Sequence, residues 1–374
     1  MKIGDRTISA SARDDVYVIA ELGVNHDGSV PQGLQMVDAA ADAGADAIKL
    51  QFFRAEMLMS RASRLAEYQA RAGETDPLEM LRRLEMSPMQ LRPLVNLARA
   101  RGVHAIVTVF SVDLVPEAEA LGLDAYKTAS PDVVHLPLLE ALGATGRPLI
   151  VSTGAATLEE VERAAHWLAG AAARQRLAFL QCVSSYPTPM ERAELDGVFA
   201  LRYALCESRG AVLPTPVPVG YSDHTPEVET GALAVRRGAR ILEKHFTLDR
   251  AAPGPDHAAS LEPAQFAEYV RLARAAAEEP AIKPPATGDA GLRALKRVLD
   301  VERDVRTVSR QSIVARRALP AGHVLSRADL CCKRPGTGLA PFLLDAIVGK
   351  PLARAVERDA PLTRADINGE LPEG

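Results

Sequence analysis

Short apolar runs alternate with longer amphipathic stretches along the first 280 residues of the chain. The runs are almost continuously apolar, which is typical of parallel strands covered on both faces. They span residues 16–20, 47–50, 104–109, 125–128, 148–151, 177–181, 217–221 and 241–245. This pattern predicts eight parallel strands.

A stretch with helical periodicity follows each predicted strand. These stretches span residues 32–43, 88–101, 114–121, 133–142, 158–171, 194–209, 226–237 and 263–277. Capping boxes at residues 87–90 and 157–160 mark two of the helix starts. Eight strand–helix units predict an α/β fold, the (β/α)8 TIM barrel, over residues 1–280. An open doubly wound sheet is the alternative, but residues 21–26 lack its usual glycine-rich first turn.

The pattern changes after residue 280. Residues 281–309 begin with a segment rich in proline and alanine and are predicted to form a linker. Residues 310–374 read as short strands broken by turns, and the sequence LSRADL at 325–330 returns as LTRADI at 362–367. The repeat predicts a small, pseudo-symmetric, β-rich domain of about 60 residues. A domain of this size buries only a modest core, so we expect it to dock on another surface.

Composition and charge exclude several classes of function. The chain has 374 residues and a net charge of −4, with 44 Lys and Arg against 48 Asp and Glu. This balance and the 4% aromatic content argue against nucleic-acid binding, which uses basic faces and stacking aromatics. The chain has no apolar run of about 18 residues, no signal-peptide pattern, and no disulfide or zinc spacing in its four cysteines. We therefore expect a cytoplasmic protein that binds neither nucleic acid nor membrane.

Polar residues occur at nearly every predicted strand end, where a TIM barrel has its active site. Lys49 and Lys127 supply two cations there. The hydroxyl-bearing residues at the same level are Thr108, Ser130, Ser152 and Ser222. Such a set suits a phosphate or carboxylate that is held without a Walker loop. The alternative is that the lysines are solvated surface residues.

Two histidines follow neighbouring strands. His224 comes after strand seven and His245 ends strand eight, so both imidazoles can share one divalent metal ion with water completing its shell. Glu21, at the end of strand one, is a candidate proton carrier or partner of metal-bound water. The alternatives are hydrogen-bonded core histidines, a salt bridge from Glu21 to Lys49, and a simple turn at Asp256.

At these residues the chain resembles the sialic acid (N-acetylneuraminate) synthase family. The resemblance rests on residues 19–28, 47–51, 126–130, 152–154, 186–189, 220–225, 243–247 and 253–257. Residues 333–338 (KRPGTG) resemble the antifreeze-like (SAF) domain of the same family. The motifs occur in family order and cover essentially the whole chain.

The resemblance implies an activity and a set of residue roles. Members of the family condense phosphoenolpyruvate with an open-chain N-acylamino sugar and release phosphate. By resemblance, His224 and His245 bind a divalent metal, Mn²⁺ or Mg²⁺, and Glu21 handles protons. The positions matching the phosphoenolpyruvate site are Lys49, Thr108, Lys127, Ser130, Ser152 and Ser222. The positions matching the sugar site are Gln51, Asp132, Tyr186, Asp256 and Arg334.

The same resemblance predicts a domain-swapped homodimer, in which Arg334 of one subunit enters the barrel of the other. N-acetylmannosamine is the acceptor that we expect first. Legionaminic or pseudaminic acid synthases, which use diacetamido trideoxy sugars, share every motif above and stay open as alternatives. A metal-dependent pyruvate aldolase and a non-catalytic sugar-binding protein are the more distant alternatives.

Overall fold

Eight parallel strands form a closed barrel in the computed structural model, which describes residues 1–11 and 16–372. A short antiparallel hairpin, β1 (Lys2–Ile3) and β2 (Arg6–Thr7), precedes the barrel. The barrel strands are β3 (Tyr17–Gly23), β4 (Ala47–Phe52), β5 (His104–Val109), β6 (Ala125–Thr128), β7 (Leu149–Ser152), β8 (Leu177–Cys182), β9 (Val219–Asp223) and β10 (Ile241–His245). Each strand pairs with its sequence neighbours, and β10 closes the ring against β3. The predicted TIM barrel is therefore confirmed, and each predicted strand matches one observed strand to within a few residues.

Helices cover the outside of the barrel. The α-helices of the described chain span Val30–Asp42, Ala55–Leu58, Glu67–Arg71, Pro77–Leu84, Pro88–Ala100, Val115–Glu119, Leu136–Ala144, Leu158–Trp167, Ala169–Ala173, Gly197–Arg202, Thr230–Arg236, Pro263–Glu278, Gly288–Arg293, Arg303–Ser309 and Leu344–Ile347. Ser87 and Thr157 make the predicted capping boxes. The three helices between residues 55 and 84 were not predicted, because short pieces in a long loop show little periodicity.

The barrel interior is apolar at one end and polar at the other. The amino-terminal end is filled by side chains such as Ile19, Ile106 and Ile150, and Met1 and Ile3 of the hairpin segment pack below them. At the carboxyl ends of the strands the interior residues are charged or hydroxyl-bearing and still buried. Burying such groups is costly unless they pair, so this end needs a network of contacts.

The C-terminal domain has its own small core. Its strands β11 (Ser312–Ala315) and β12 (Leu330–Lys333) pair antiparallel, and further single bridges complete the sheet-like structure. Both copies of the sequence repeat form a short 3-10 turn, with Asp329 and Asp366 accepting hydrogen bonds in matching capping boxes. The repeat in the sequence is therefore a repeat in the structure.

The segment between the barrel and the C-terminal domain lies along the barrel surface. Arg293 makes two hydrogen bonds to Glu162, and Arg306 and Arg310 both pair with Glu160. Helix Arg303–Ser309 ends this segment and leads into β11. None of the helices in residues 1–11 and 16–372 has the length and apolar character needed to cross a bilayer.

Candidate active site

A buried charge network occupies the carboxyl ends of β3, β4 and β10. The pairing register places Glu21 of β3 beside Lys49 of β4, and Lys49 Nζ lies 2.9 Å from Glu21 Oε2. Lys49 also donates to Thr108 Oγ1 at 3.1 Å, while Gln51 Nε2 donates to the other oxygen of Glu21 at 2.7 Å. The salt bridge between Glu21 and Lys49, kept as an alternative above, is thus present inside the same cavity as the candidate site.

Glu243 joins the two predicted lysines, although the sequence analysis gave it no role. Its Oε1 lies 3.3 Å from Lys127 Nζ and its Oε2 lies 3.7 Å from Lys49 Nζ. Ser222 Oγ donates to Glu243 Oε1 at 2.9 Å. The only signal in the sequence was its place two residues before His245, which sets both side chains on the inner face of β10.

The two carboxylates in this network have opposite pKa shifts. Burial raises the pKa of Glu21, although Lys49 acts in the other direction. Burial acts on Glu243 as well, but its two lysine neighbours outweigh burial and lower its pKa. Burial also lowers the pKa of Lys127. A carboxylate pair with separated pKa values is a typical acid–base arrangement, with Glu21 as the member that more readily holds a proton.

Hydroxyl groups line the opposite side of the cavity. Ser130 Oγ donates to Ser152 Oγ at 3.0 Å and accepts from the backbone N–H of Gly154, also at 3.0 Å. Ser184 Oγ is buried and has no hydrogen-bond partner among the described residues. A Cβ at Gly154 would lie 2.3 Å from Ser184 Oγ and 2.8 Å from Ser130 Oγ. These groups form what we call the hydroxyl cradle, defined by Ser130, Ser152, Gly154 and Ser184.

The two predicted histidines lie side by side at the mouth of the barrel, at the ends of the paired strands β9 and β10. The ring centroids of His224 and His245 are 5.4 Å apart. His224 Nδ1 lies 2.7 Å from the carbonyl oxygen of Val183, and His245 Nδ1 lies 3.7 Å from Asp256 Oδ2. Tyr186 covers His224 with a centroid distance of 4.1 Å.

The histidine pair fits a metal ion with an open coordination shell. If His224 donates its Nδ1 proton to Val183, its Nε2 lone pair is left for a ligand, an arrangement common around metal-bound histidines. His245 Nδ1 is buried and has no hydrogen-bond partner in the described part of the chain. Across residues 1–11 and 16–372, no group of three or more His, Cys, Asp or Glu side chains is arranged to hold a metal. Water or substrate would therefore have to complete the shell.

Arg334 reaches this cavity from the C-terminal domain of the same chain. Its backbone forms a parallel bridge with Met59, with its N–H donating to Leu58 at 2.8 Å and its carbonyl accepting from Ser60 at 3.1 Å. Its guanidinium lies 5.6 Å from the ring centroid of Phe110. The expectation that Arg334 enters a partner's barrel concerns a second subunit and stays a prediction. Within the described chain, the linker follows the barrel surface and delivers β12 to the barrel mouth.

The structure brings the predicted site residues together with one exception. All of them line one cavity except Asp132, which is buried beside it. Asp132 accepts a hydrogen bond from Gln311 of the C-terminal domain at 3.2 Å.

Three residues of the cavity had no site role in the sequence analysis: Glu243, Ser184 and Tyr68. The ring of Tyr68 stacks on that of Tyr186 with a centroid distance of 4.8 Å. Tyr68 lies on an unpredicted loop helix, so no local pattern pointed to it.

The geometry defines a class of protein: a barrel whose mouth holds buried lysines, carboxylates and hydroxyl groups beside a histidine pair, with a small C-terminal domain contributing Arg334. The NeuB family model matches residues 36–281, and the SAF domain model matches residues 310–368. The chain therefore belongs to the NeuB family.

Named relatives agree with this assignment. The chain is 34% identical to the N,N'-diacetyllegionaminic acid synthase of Legionella pneumophila, with 90% of each chain covered. It is 30% identical to the N-acetylneuraminate-9-phosphate synthase of Homo sapiens, with 92% of this chain and 90% of that one covered. The crystal structure of the spore coat polysaccharide biosynthesis protein SpsE of Bacillus subtilis superposes with a TM-score of 0.80 and 28% identity over 99% of each chain.

Family membership settles the class of function. The protein is an enzyme, a nonulosonic acid synthase of the NeuB family with a C-terminal SAF domain. The predicted family and fold are confirmed, and the aldolase and non-catalytic alternatives are not adopted.

Proposed function

We propose that this enzyme condenses phosphoenolpyruvate with an unphosphorylated N-acylamino sugar, giving a nonulosonic acid and phosphate. The observation that carries the proposal is the shared cavity, in which Lys49, Lys127 and the hydroxyl cradle lie beside His224 and His245. A phosphate group suits the first set and a sugar aldehyde suits the second. No single one of these groups would support the reaction by itself.

The chain's own residues have separate tasks in this reaction. Lys49 and Lys127, with the cradle hydroxyls, hold the phosphate group and stabilise its charge as it leaves. C3 of phosphoenolpyruvate forms the new bond to the aldehyde carbon, water adds at C2, and the bond from C2 to the phosphate oxygen breaks. Glu21 moves a proton at this centre, in keeping with its raised pKa. A divalent ion held by His224 and His245 would polarise the aldehyde oxygen as a Lewis acid.

The charges around the cavity favour an acceptor without phosphate. Among the described residues, the basic side chains that line the cavity are Lys49, Lys127 and Arg334 alone. Both lysines already contact carboxylates, and Asp256 adds a further carboxylate to the lining. A second phosphate would need additional cations. N-acetylmannosamine, the acceptor expected from the sequence, satisfies this condition.

An apolar wall supports a diacetamido trideoxy sugar as the second candidate. Val24, Met80, Leu81, Leu84 and Phe110 line one side of the cavity. A methyl group in place of a hydroxymethyl group, or an additional acetamido methyl, would bury apolar surface there. The name of the Legionella relative agrees with this second candidate.

The predicted homodimer and cytoplasmic location stay predictions.

Phosphate release tests the proposal. Purified enzyme is incubated with phosphoenolpyruvate and Mn²⁺ and with N-acetylmannosamine, its 6-phosphate, or 2,4-diacetamido-2,4,6-trideoxymannose. We expect release with an unphosphorylated sugar and little with the 6-phosphate. Release only with the diacetamido sugar would select the second candidate. Release only with the phosphorylated sugar would contradict the charge argument, and no release with any of them would contradict the proposed acceptor class.

A further inference from the structure

A buried glutamate of the linker holds two loops of the barrel mouth. Glu302 is 1% exposed, and its Oε1 accepts hydrogen bonds from the backbone N–H groups of Ala155 at 2.6 Å and Ser184 at 2.8 Å. Its Oε2 accepts from Leu299 N–H at 2.9 Å within the linker. One carboxylate thus connects the loop after β7, the loop after β8 and the linker. Hydrogen bonds to an ionised acceptor are among the stronger ones in proteins.

The loop after β7 needs such support. Ala155 has a φ of 51°, in the left-handed region that a residue with a Cβ adopts at a cost of about 1 kcal/mol. The linker contacts this residue on both sides. Glu302 binds its N–H, while Arg306 and Arg310 donate to its carbonyl oxygen. The strained turn is therefore held in place by residues about 150 positions later in the sequence.

These two loops carry half of the hydroxyl cradle. Gly154 precedes Ala155, and its N–H contacts Ser130 Oγ. The backbone N–H of Ser184 donates to Glu302, and its hydroxyl group is buried without a partner among the described residues. Glu302 itself does not line the cavity. It contacts the backbone behind the cradle, so its effect on a bound anion must pass through the positions of Gly154 and Ser184.

A buried lysine lies within electrostatic range of this carboxylate. Lys296 is 4% exposed, and its Nζ has no hydrogen-bond partner in the described chain. Burial lowers the pKa of Lys296, and the charge of Glu302 opposes that shift. The carboxylate is thus not an isolated charge in an apolar environment, where it would be strongly destabilising.

We propose that Glu302 is a positioning residue for the phosphate group of phosphoenolpyruvate, making the hydroxyl cradle depend on a docked linker. The inference rests on the proposed function and adds a residue from outside the barrel to its binding site. Since the same linker leads to the domain that carries Arg334, docking of the linker prepares the phosphate side and the Arg334 side of the cavity together.

The test combines hydrogen exchange with binding. Glu302→Ala is compared with wild type and with Glu162→Gln, a control that weakens the contact of the linker to the barrel at Arg293 without touching the cradle. We expect faster amide exchange in residues 152–157 and 183–186 of the alanine variant alone. Its dissociation constants for phosphoenolpyruvate and inorganic phosphate, measured by calorimetry without acceptor, should rise by about tenfold or more. Its KM for the acceptor should change much less.

Each other outcome is informative. Unchanged binding of phosphoenolpyruvate despite faster exchange would overturn the proposal. An equal loss in Glu162→Gln would overturn the specific role of Glu302, because it would assign the effect to the fastening of the linker as a whole. If Glu302→Ala does not fold, Glu302→Gln retains the shape without the charge and should show the same changes at smaller size; unchanged binding there would overturn the proposal too. If wild type fails to release phosphate from phosphoenolpyruvate with any acceptor, the proposed function fails. In that case, amide exchange and the binding of inorganic phosphate, compared between wild type and Glu302→Ala, still decide whether Glu302 positions the hydroxyl cradle for an anion.

Discussion

At the scale of single residues, the site is a set of buried polar groups whose neighbours decide their charge. Lys49 forms salt bridges with two carboxylates, Glu21 and Glu243, whereas among the described carboxylates Lys127 pairs with Glu243. Burial acts to lower the pKa of Lys49, but its two carboxylate partners outweigh burial and raise that pKa. For Lys127, burial prevails and lowers the pKa. Two lysines from the same sequence pattern thus differ because their partners differ.

The histidine pair leads to a prediction about metal binding. His224→Ala removes one of two imidazoles, so we expect its affinity for Mn²⁺ to fall by about tenfold or more. Electron paramagnetic resonance of free Mn²⁺ measures this directly and does not depend on turnover. His166→Ala, at an exposed position, is the control and should bind as wild type does. Equal affinity in all three proteins would show that the pair is not a metal site.

Asp132 leads to a prediction about pH. Burial raises its pKa to about 7, against the opposing effects of Arg334 and Gln311. Between its unfolded value near 4 and about 7, the folded state binds more protons than the unfolded state, so stability falls as the pH rises. The substitution Asp132→Asn removes the titrating group, so the variant should not lose stability in this way as the pH rises.

Thermal unfolding at pH 5 and pH 8 provides the measurement. The stability of Asp132→Asn relative to wild type should increase from pH 5 to pH 8 by about 3 kcal/mol, because about two pH units of the interval below the folded pKa lie between them. A difference that is independent of pH would mean that Asp132 is ionised throughout. Such a result would contradict the raised pKa of Asp132.

At the scale of elements, the linker is fastened by charge rather than by apolar packing alone. Glu160 of helix Leu158–Trp167 accepts from Arg306 and Arg310, with distances between 2.7 and 2.9 Å. Although burial opposes it, these arginines lower the pKa of Glu160 to about 2. The stabilisation that these ion pairs give to the folded state is fully present above pH 4.5, the approximate pKa of a glutamate in the unfolded chain. It is lost as the pH falls through about 2.

Glu160→Gln should therefore destabilise the protein by about 3 kcal/mol at neutral pH, because two arginines lose their carboxylate. Chemical denaturation at pH 7 and at pH 3 tests this, and the difference from wild type should shrink at the lower pH. The neighbouring Glu159 is exposed, so Glu159→Gln serves as the matched control. Equal effects of the two substitutions would rule out the proposed role of the ion pair.

At the scale of the whole molecule, one chain contains every part of the cavity. Arg334, the barrel strands and the linker come from the same polypeptide. A mixture of two inactive variants therefore distinguishes closure by the same chain from closure by a partner. We expect that His224→Ala mixed with Arg334→Ala, after partial unfolding and refolding together, regains no activity.

A domain-swapped dimer would give the opposite result. Refolded mixtures would contain some hybrid dimers with one intact site, and about a quarter of the wild-type sites would return by random pairing of subunits. Light scattering on the same samples gives the mass of the particle. Recovery of activity in dimers would show that the C-terminal domain exchanges between subunits in solution.

Much of this architecture could be predicted from the sequence, because local rules govern it. Apolar runs of strand length predicted the barrel strands, and polar residues at their ends predicted Lys49, Thr108, Lys127 and Ser152 as neighbours in one cavity. These predictions succeed because parallel strands present their carboxyl ends at one face of the barrel. The repeat at residues 325–330 and 362–367 likewise predicted two similar turns.

Only the tertiary structure decided the contacts made over long sequence separation. Glu243 bridges two lysines because the barrel closes β10 against β3, and no local pattern reveals which side chains meet inside a barrel. Glu302 holds Ala155 and Ser184 because the linker folds back over the mouth, and Arg334 enters its own barrel for the same reason. The sequence alone determined which groups were present and at which end of the barrel they lie. Their pairing, and so their charge, depended on how distant segments pack against each other.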